Sequence, residues 1–345
     1  MKIYLKDKID IYSTNGNMIR TLCAFVVIIN HSFYLSKNEY DPLFILTNGQ
    51  IGLGGFAVTI FFFFSGLYVT KSITKNKNYK SFMMSRCKRI FPQLWIVTFF
   101  SMFLLGPLFT TLNMFEYFTN IETYKYLFNC VLIPIHNLPG VFENNIYGQT
   151  VNGALWTLPV EFMCYITLLV ITLLSKKLFN NQRLYIIFIS VGLLLSAFLC
   201  AICEYLNLQL LKSAFIAISF FFVGSLYYLL KSKLPLNIII CVICIIGTIF
   251  SFFTPIANYL LLIFLPYLIT FISLYPKQIK TKTKILNYSY EIYLIGWPIQ
   301  QTFVSVYGGE MSILLNATLS ITTACSIVAL VWFCGWITKT WVTHK

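Results

Sequence analysis

Two groups near the start of the chain sit where an apolar segment has little reason to keep them. In RTLCAFVVIINHSF, Arg20 opens the run and His31 follows eleven residues later. On an α-helix eleven residues turn through about 1100°, roughly 20° past three full turns, and rise about 16.5 Å. The guanidinium and the imidazole therefore share one face of one helix. That length suits an elongated donor with a charged head at one membrane surface and a reactive tip deep in the bilayer. An acyl-coenzyme A has this shape, with phosphates for an arginine and a thin arm carrying a thioester. The spacing alone names no ligand.

Three further groups could join that chemistry. Glu161 lies in NGALWTLPVEFMCY, about 13 Å along its helix from Asn152, at a depth similar to that expected for His31. A carboxylate beside a neutral imidazole can set its tautomer and stabilise the imidazolium. In SFMMSRCKRIFP, Arg86 and Arg89 form a candidate phosphate clamp, because guanidinium forks bind phosphate bidentately. Plainer readings stand beside each: a packing histidine, an Arg20 that snorkels to the interface, a glutamate paired with another span, and a basic topology anchor. Ser65 and Gly66 in FFFFSGLYVT mark either a close helix contact or a narrow ligand path. His136 and His344 carry no chemistry in this reading.

The elements that must position these groups are transmembrane. The 345 residues are 58% hydrophobic and 10% charged, against about 25% charged in a soluble domain. An ionisable group at the centre of a spanning helix costs about 2.5–3.5 kcal/mol, so His31 and Glu161 each need a reason. Charge, Gly and Pro punctuate ten apolar spans, at 18–35, 51–71, 91–111, 153–175, 184–203, 213–230, 236–252, 256–275, 286–306 and 312–337. The expectation is an all-α polytopic membrane protein of about ten helices forming one domain over 1–345. The 112–152 stretch is too short in apolar residues to span; it is an extracytoplasmic loop that lies at the interface or re-enters.

Alternate connections hold 22 of the 25 basic residues. This places both termini, including the polar segment 1–17, in the cytoplasm, and no cleavable leader is expected. The net charge of +14 is thus a topology signal, and nucleic acid is not an expected partner. The ten cysteines, Cys200/Cys203 and Cys241/Cys244 included, fall almost wholly in apolar runs with few histidines. They read as small buried residues, and no metal is expected.

These residues together resemble the membrane-bound acyltransferase 3 family of bacterial inner-membrane O-acyltransferases. RTLCAFVVIINHS is similar to its Arg-x10-His helix, and GGFAVTIFFFFSGLYVT to its phenylalanine-rich SG segment. SRCKRIFPQLW is similar to its R-x-x-R-I-x-P-x-W junction and NGALWTLPVEFMCYI to its W-x-L-x-x-E helix. LNYSYEIYLIGWPI is similar to its SY-x-x-YL-x-H-x-P segment, with Ser289, Tyr290 and Tyr293 matching. Two departures are Gly296, where many members carry histidine, and Val58 and Thr59, which replace a usual acidic residue.

The resemblance implies that Arg20 and His31 are the acyl-CoA-contacting and catalytic pair, Arg86 and Arg89 the second basic motif at the donor site, and Glu161 the acidic partner. It implies acetyl-CoA as donor, a hydroxyl of an envelope polysaccharide or lipid-linked glycan as acceptor, and an inner-membrane location. No appended extracytoplasmic domain is expected. The rival expectation is a transporter or flippase for lipid-linked sugars.

Overall fold

The computed structural model describes residues 3–10, 13–76, 78–179, 181–275, 277–279, 288–308 and 311–343. Several groups used above to set orientation (Lys2, Lys77, Lys280, Lys282, Lys284, Lys345 and Glu310) lie outside the described residues, as does His344.

Helices fall where the apolar runs predict them. They are α1 (Thr14–Lys37), α2 (Leu53–Lys75), α3 (Tyr79–Phe109), α4 (Gly153–Ser175) and α5 (Gln182–Tyr205). α6 (Gln209–Leu229), α7 (Ile238–Ser251), α8 (Ala257–Leu274), α9 (Ser289–Tyr307) and α10 (Ile313–Thr343) follow. No strand occurs among the described residues; three isolated bridges do. Eight of these helices are long and apolar enough to cross a membrane, against about ten expected. α7 has 14 residues, short of the roughly 20 that a bilayer core requires. α9 has 19 residues but carries Glu291, Gln300 and Gln301, which dilute its hydropathy.

Local chemistry fixes the ends. Asn181 caps α5 by accepting from Arg183 N and Leu184 N at 2.8 and 3.2 Å, and Asn237 caps α7 at Ile239 N, 2.7 Å. α9 ends at Gly308, whose φ of 71° suits a residue without a side chain. Pro159 is the third residue of the α-helical part of α4, where its missing N–H interrupts no established ladder.

The chain forms two compact units. The first comprises Met1–Ile19, Pro42–Ile90 and Thr157–Lys280; the second comprises Arg20–Asp41, Phe91–Trp156 and Thr281–Lys345. In the first unit α2 and α6 meet backbone to backbone. A Cβ on Gly66 would lie 2.7 Å from the Phe221 carbonyl carbon and nearer still to its oxygen. Reciprocally, a Cβ on Gly224 would meet Leu67 N at 2.8 Å. The small residue at 66 thus serves helix packing. The amino-terminal segment joins this unit through Leu5 N to Leu234 O at 2.9 Å and Leu236 N to Ile3 O at 2.8 Å. Asp10 binds Lys75 at 2.7 Å and Lys71 at 3.2 Å, and the Lys75 hydrogen bond, with help from Lys71, holds its carboxyl below the usual range. An ion pair between the buried Lys212 and the half-buried Glu204 at 2.8 Å, with Gln50 Nε2 also 2.8 Å from Glu204, ties α5, α6 and the segment before α2.

In the second unit α9 packs along the His31 half of α1 and against the segment before α4. Asn152 Nδ2 donates to Leu294 O at 3.0 Å, and the Tyr293 hydroxyl donates to Ala154 O at 3.2 Å. The 112–152 stretch holds only short helical pieces, Met114–Thr119, Ile121–Lys125 and Tyr126–Val131. They pack on Met102 through the buried Tyr117 and Tyr126.

Candidate active site

Arg20 and His31 both lie on α1, which is helical without a break from Thr14 to Lys37. The eleven-residue spacing therefore has its geometric consequence: the two groups stand three turns apart on one face. His31 is half-buried, and its Nδ1 is buried without a hydrogen-bond partner among the described residues. What exposure the residue has lies away from Nδ1.

The ring is held edge-on by Trp297 of α9, with centroids 4.6 Å apart and planes at 67°. Trp297 is itself pinned. Its Nε1 donates to Thr150 O at 3.0 Å, Tyr147 meets its other side at 5.5 Å, and Gly153 lies so close that a Cβ there would come within 2.6 Å of the indole. Next to Trp297, Gly296 lets α9 approach α1: a Cβ at this position would meet Ile28 Cγ1 at 2.8 Å. The space a second histidine would need is thus occupied by the turn of α1 just before His31.

Below the ring lies a buried polar cluster that a search for ionisable groups does not find. Ser32 of α1, Gln300 of α9 and Asn316 of α10 are all fully buried. Gln300 Nε2 stands 2.8 Å from Ile28 O, 2.8 Å from Ser32 Oγ and 2.9 Å from Asn316 Oδ1. Asn316 Nδ2 donates back to Gln300 O at 3.2 Å. Three helices are locked here by neutral amides and a hydroxyl. Uncharged polar residues in apolar helices were the signal in the sequence: Gln300–Gln301 in α9, and Asn316 in α10.

The first unit holds the other candidates. Ser65 Oγ donates to Glu161 Oε1 at 2.9 Å, the Tyr165 hydroxyl donates to the same oxygen, and Ser65 Oγ and the Tyr165 hydroxyl are 3.3 Å apart. Tyr165 is fully buried one turn after Glu161 on α4, while Ser65 comes from α2. Arg86 is half-buried over the Phe82 ring at 5.8 Å, in the electrostatic neighbourhood of Arg89 and Glu161. Tyr165 in turn feels Glu161 and Arg89. So the structure brings Glu161, Arg86 and Arg89 into one electrostatic neighbourhood. Arg86 and Arg89 lie inside α3, which starts at Tyr79, well before the apolar run. His31 and Glu161 belong to different units, and each has its own set of partners. Cys200, Cys203, Cys241 and Cys244 are buried free thiols, and His136 Nδ1 donates to Asn152 O at 2.9 Å as a loop contact.

A family model for an acyltransferase domain matches residues 16–339, nearly the whole chain. Among curated proteins, the O-acetyl transferase of Shigella phage Sf6 is 30% identical over 177 residues, covering 51% of this chain and 50% of that protein. Nodulation protein 10 of Rhizobium leguminosarum bv. viciae is 28% identical over 169 residues, covering 46% and 43% respectively. The matching segments thus span about half the length of these curated relatives. No solved structure matches.

Proposed function

We propose a specific reaction for this chain, which belongs to the acyltransferase family whose model covers residues 16–339: it is a multi-pass membrane O-acyltransferase that moves an acetyl group from acetyl-CoA to a hydroxyl of a cell-envelope polysaccharide or lipid-linked glycan. The phage relative is named an O-acetyl transferase, which is the reason for acetyl as the group and oxygen as the acceptor atom.

In this reading the donor enters from the cytosolic face of the inner membrane. Arg20 on α1, and Arg86 and Arg89 on α3, are the candidate groups for its phosphates, since guanidinium forks match phosphate oxygens. The thioester reaches along the face of α1 that carries Arg20 and His31. His31 acts as general base: the ring nitrogen on its more exposed side, Nε2, takes the proton of the acceptor hydroxyl as the oxygen attacks the thioester carbonyl. The new C–O bond forms, the C–S bond breaks, and the thiolate leaves and takes up the proton that the imidazolium carries. Glu161, held by Ser65 and Tyr165, stabilises positive charge in the site; within its own unit Arg86 and Arg89 carry that charge. Seclusion among packed helices keeps water from the thioester.

The observation that carries the reading is His31 itself. It is a half-buried imidazole whose exposed side lies away from Nδ1, three turns from an arginine on one helix, in a chain of this family. Purified protein in detergent, given acetyl-labelled CoA and an envelope glycan fraction, is expected to transfer or hydrolyse the label, and His31→Ala to abolish this. Movement of unlabelled glycan across vesicles with no use of acetyl-CoA is the result that favours a flippase instead.

A further inference from the structure

We infer that Gln300 is the positioning residue of His31: its side-chain carbonyl accepts the Nδ1–H of the imidazole and thereby keeps Nε2 as the unprotonated nitrogen. What Nε2 then does rests on the reaction proposed above; the hydrogen bond and the tautomer do not.

Two complementary atoms stand unmatched at one place in the second unit. Both His31 Nδ1 and Gln300 Oε1 are buried without a hydrogen-bond partner among the described residues. Buried polar groups in folded proteins almost always find a partner, so each orphan demands one. The two side chains are neighbours. The Gln300 amide nitrogen touches Ile28 O and Ser32 Oγ, which lie three residues before and one residue after His31 on α1. Trp297, one turn before Gln300 on α9, contacts the ring directly, and the Gln300 side chain lies close enough to the imidazole to act on its charge.

The direction of the bond follows from what the amide can and cannot do. Its two N–H donors are shared among three oxygens, from Ile28, Ser32 and Asn316. Turning the amide over would set its oxygen against those acceptors, two of which (a main-chain carbonyl and the Asn316 carbonyl) can only accept. The Gln300 oxygen is therefore fixed outside the cluster, and only a donor can satisfy it. On the imidazole that donor is a protonated Nδ1. An unprotonated Nδ1 would place two lone pairs face to face. A neutral imidazole with Nδ1 protonated has its lone pair on Nε2, the geometry a general base needs. Ser32 and Asn316 serve the same end one step removed, because they hold the amide.

The test is ¹⁵N NMR of the full chain labelled at histidine, with the His31 signal identified by its loss in His31→Gln. Wild type at neutral pH is expected to show the tautomer protonated at Nδ1, and Gln300→Leu to lose that preference. Gln300→Glu keeps an acceptor and adds a negative charge, so it should retain the tautomer and raise the pH at which His31 protonates; the acidic limb of the pH–rate profile moves up with it. In turnover, Gln300→Leu should lower kcat about 10–100-fold with KM for the donor nearly unchanged. A wild-type His31 protonated at Nε2 overturns the inference, and so does a Gln300→Leu protein with unaltered tautomer and pH profile. If Gln300→Leu fails to fold, the wild-type and Gln300→Glu spectra decide alone. A protein that shows the expected tautomer but transfers no acetyl group refutes the proposed reaction and leaves this bond standing.

Discussion

Replacing Gly66 by alanine adds one methyl group at the tightest contact of the first unit. The new Cβ would sit 2.7 Å from the Phe221 carbonyl carbon and closer to its oxygen. Carbon atoms pack at about 3.5 Å or more, so α2 must retreat from α6 by about 0.8 Å at least. Backbone on both sides leaves no flexible side chain to give way. The neighbouring residue on α2 is Ser65, whose hydroxyl reaches Glu161 at 2.9 Å. A retreat of that size displaces Ser65 relative to the carboxylate it binds. Overpacking costs about 1–3 kcal/mol, and disturbing the bond to the half-buried Glu161 carboxylate adds to that cost. Better helix propensity returns at most about 1 kcal/mol. Gly66→Ala should therefore lower the midpoint of thermal unfolding in detergent by about 4 °C or more and reduce activity. Gly55→Ala on the same helix, where the nearest atom is 3.4 Å away, should leave both unchanged. A Gly66→Ala protein that unfolds at the wild-type temperature refutes the packing argument.

Other expected outcomes concern separate contacts. Lys212→Met strands Glu204 with Gln50 alone and should cost about 2–4 kcal/mol in unfolding experiments, with much of it regained in Lys212→Met/Glu204→Leu. Asp10 has its carboxyl held below the usual range by Lys75 and Lys71, so its bonds add stability above the unfolded pKa of about 3.9 and lose it as pH falls through the lower folded value. Asp10→Asn should thus unfold earlier than wild type at neutral pH, with the difference closing in acid. Gly296→His drives its side chain into Ile28 and should lose about 1–3 kcal/mol; Gly296→His/Ile28→Ala should recover most of it by the same thermal assay.

Much of the architecture was legible because lipid leaves so few options: long apolar runs punctuated by charge became helices, and the Arg20–His31 spacing became one face of α1. The spans at 236–252 and 286–306 were harder, the first because its helix stops at 14 residues and the second because it buries amides. At the site, ionisable groups drew attention and neutral ones did not. Ser32, Gln300 and Asn316 are ordinary singly, and only the crossing of three helices makes them a cluster. The depth of Glu161 was legible, but its bonds to Ser65 and to Tyr165 one turn along its own helix were not. Depth is a single coordinate; which face a residue presents, and to which helix, depends on packing between segments far apart in the chain. Gly296 shows the same limit, since its effect on Ile28 needs both helices to be seen.

The ester content of the envelope glycans tests the central claim most directly. Cells lacking the gene and complemented with wild type, His31→Ala or Glu161→Gln would have their glycans analysed by mass spectrometry for acetyl groups. The account predicts acetyl esters restored by wild type, absent with His31→Ala at equal protein level, and strongly reduced with Glu161→Gln. Full acetylation by the His31→Ala protein would contradict it.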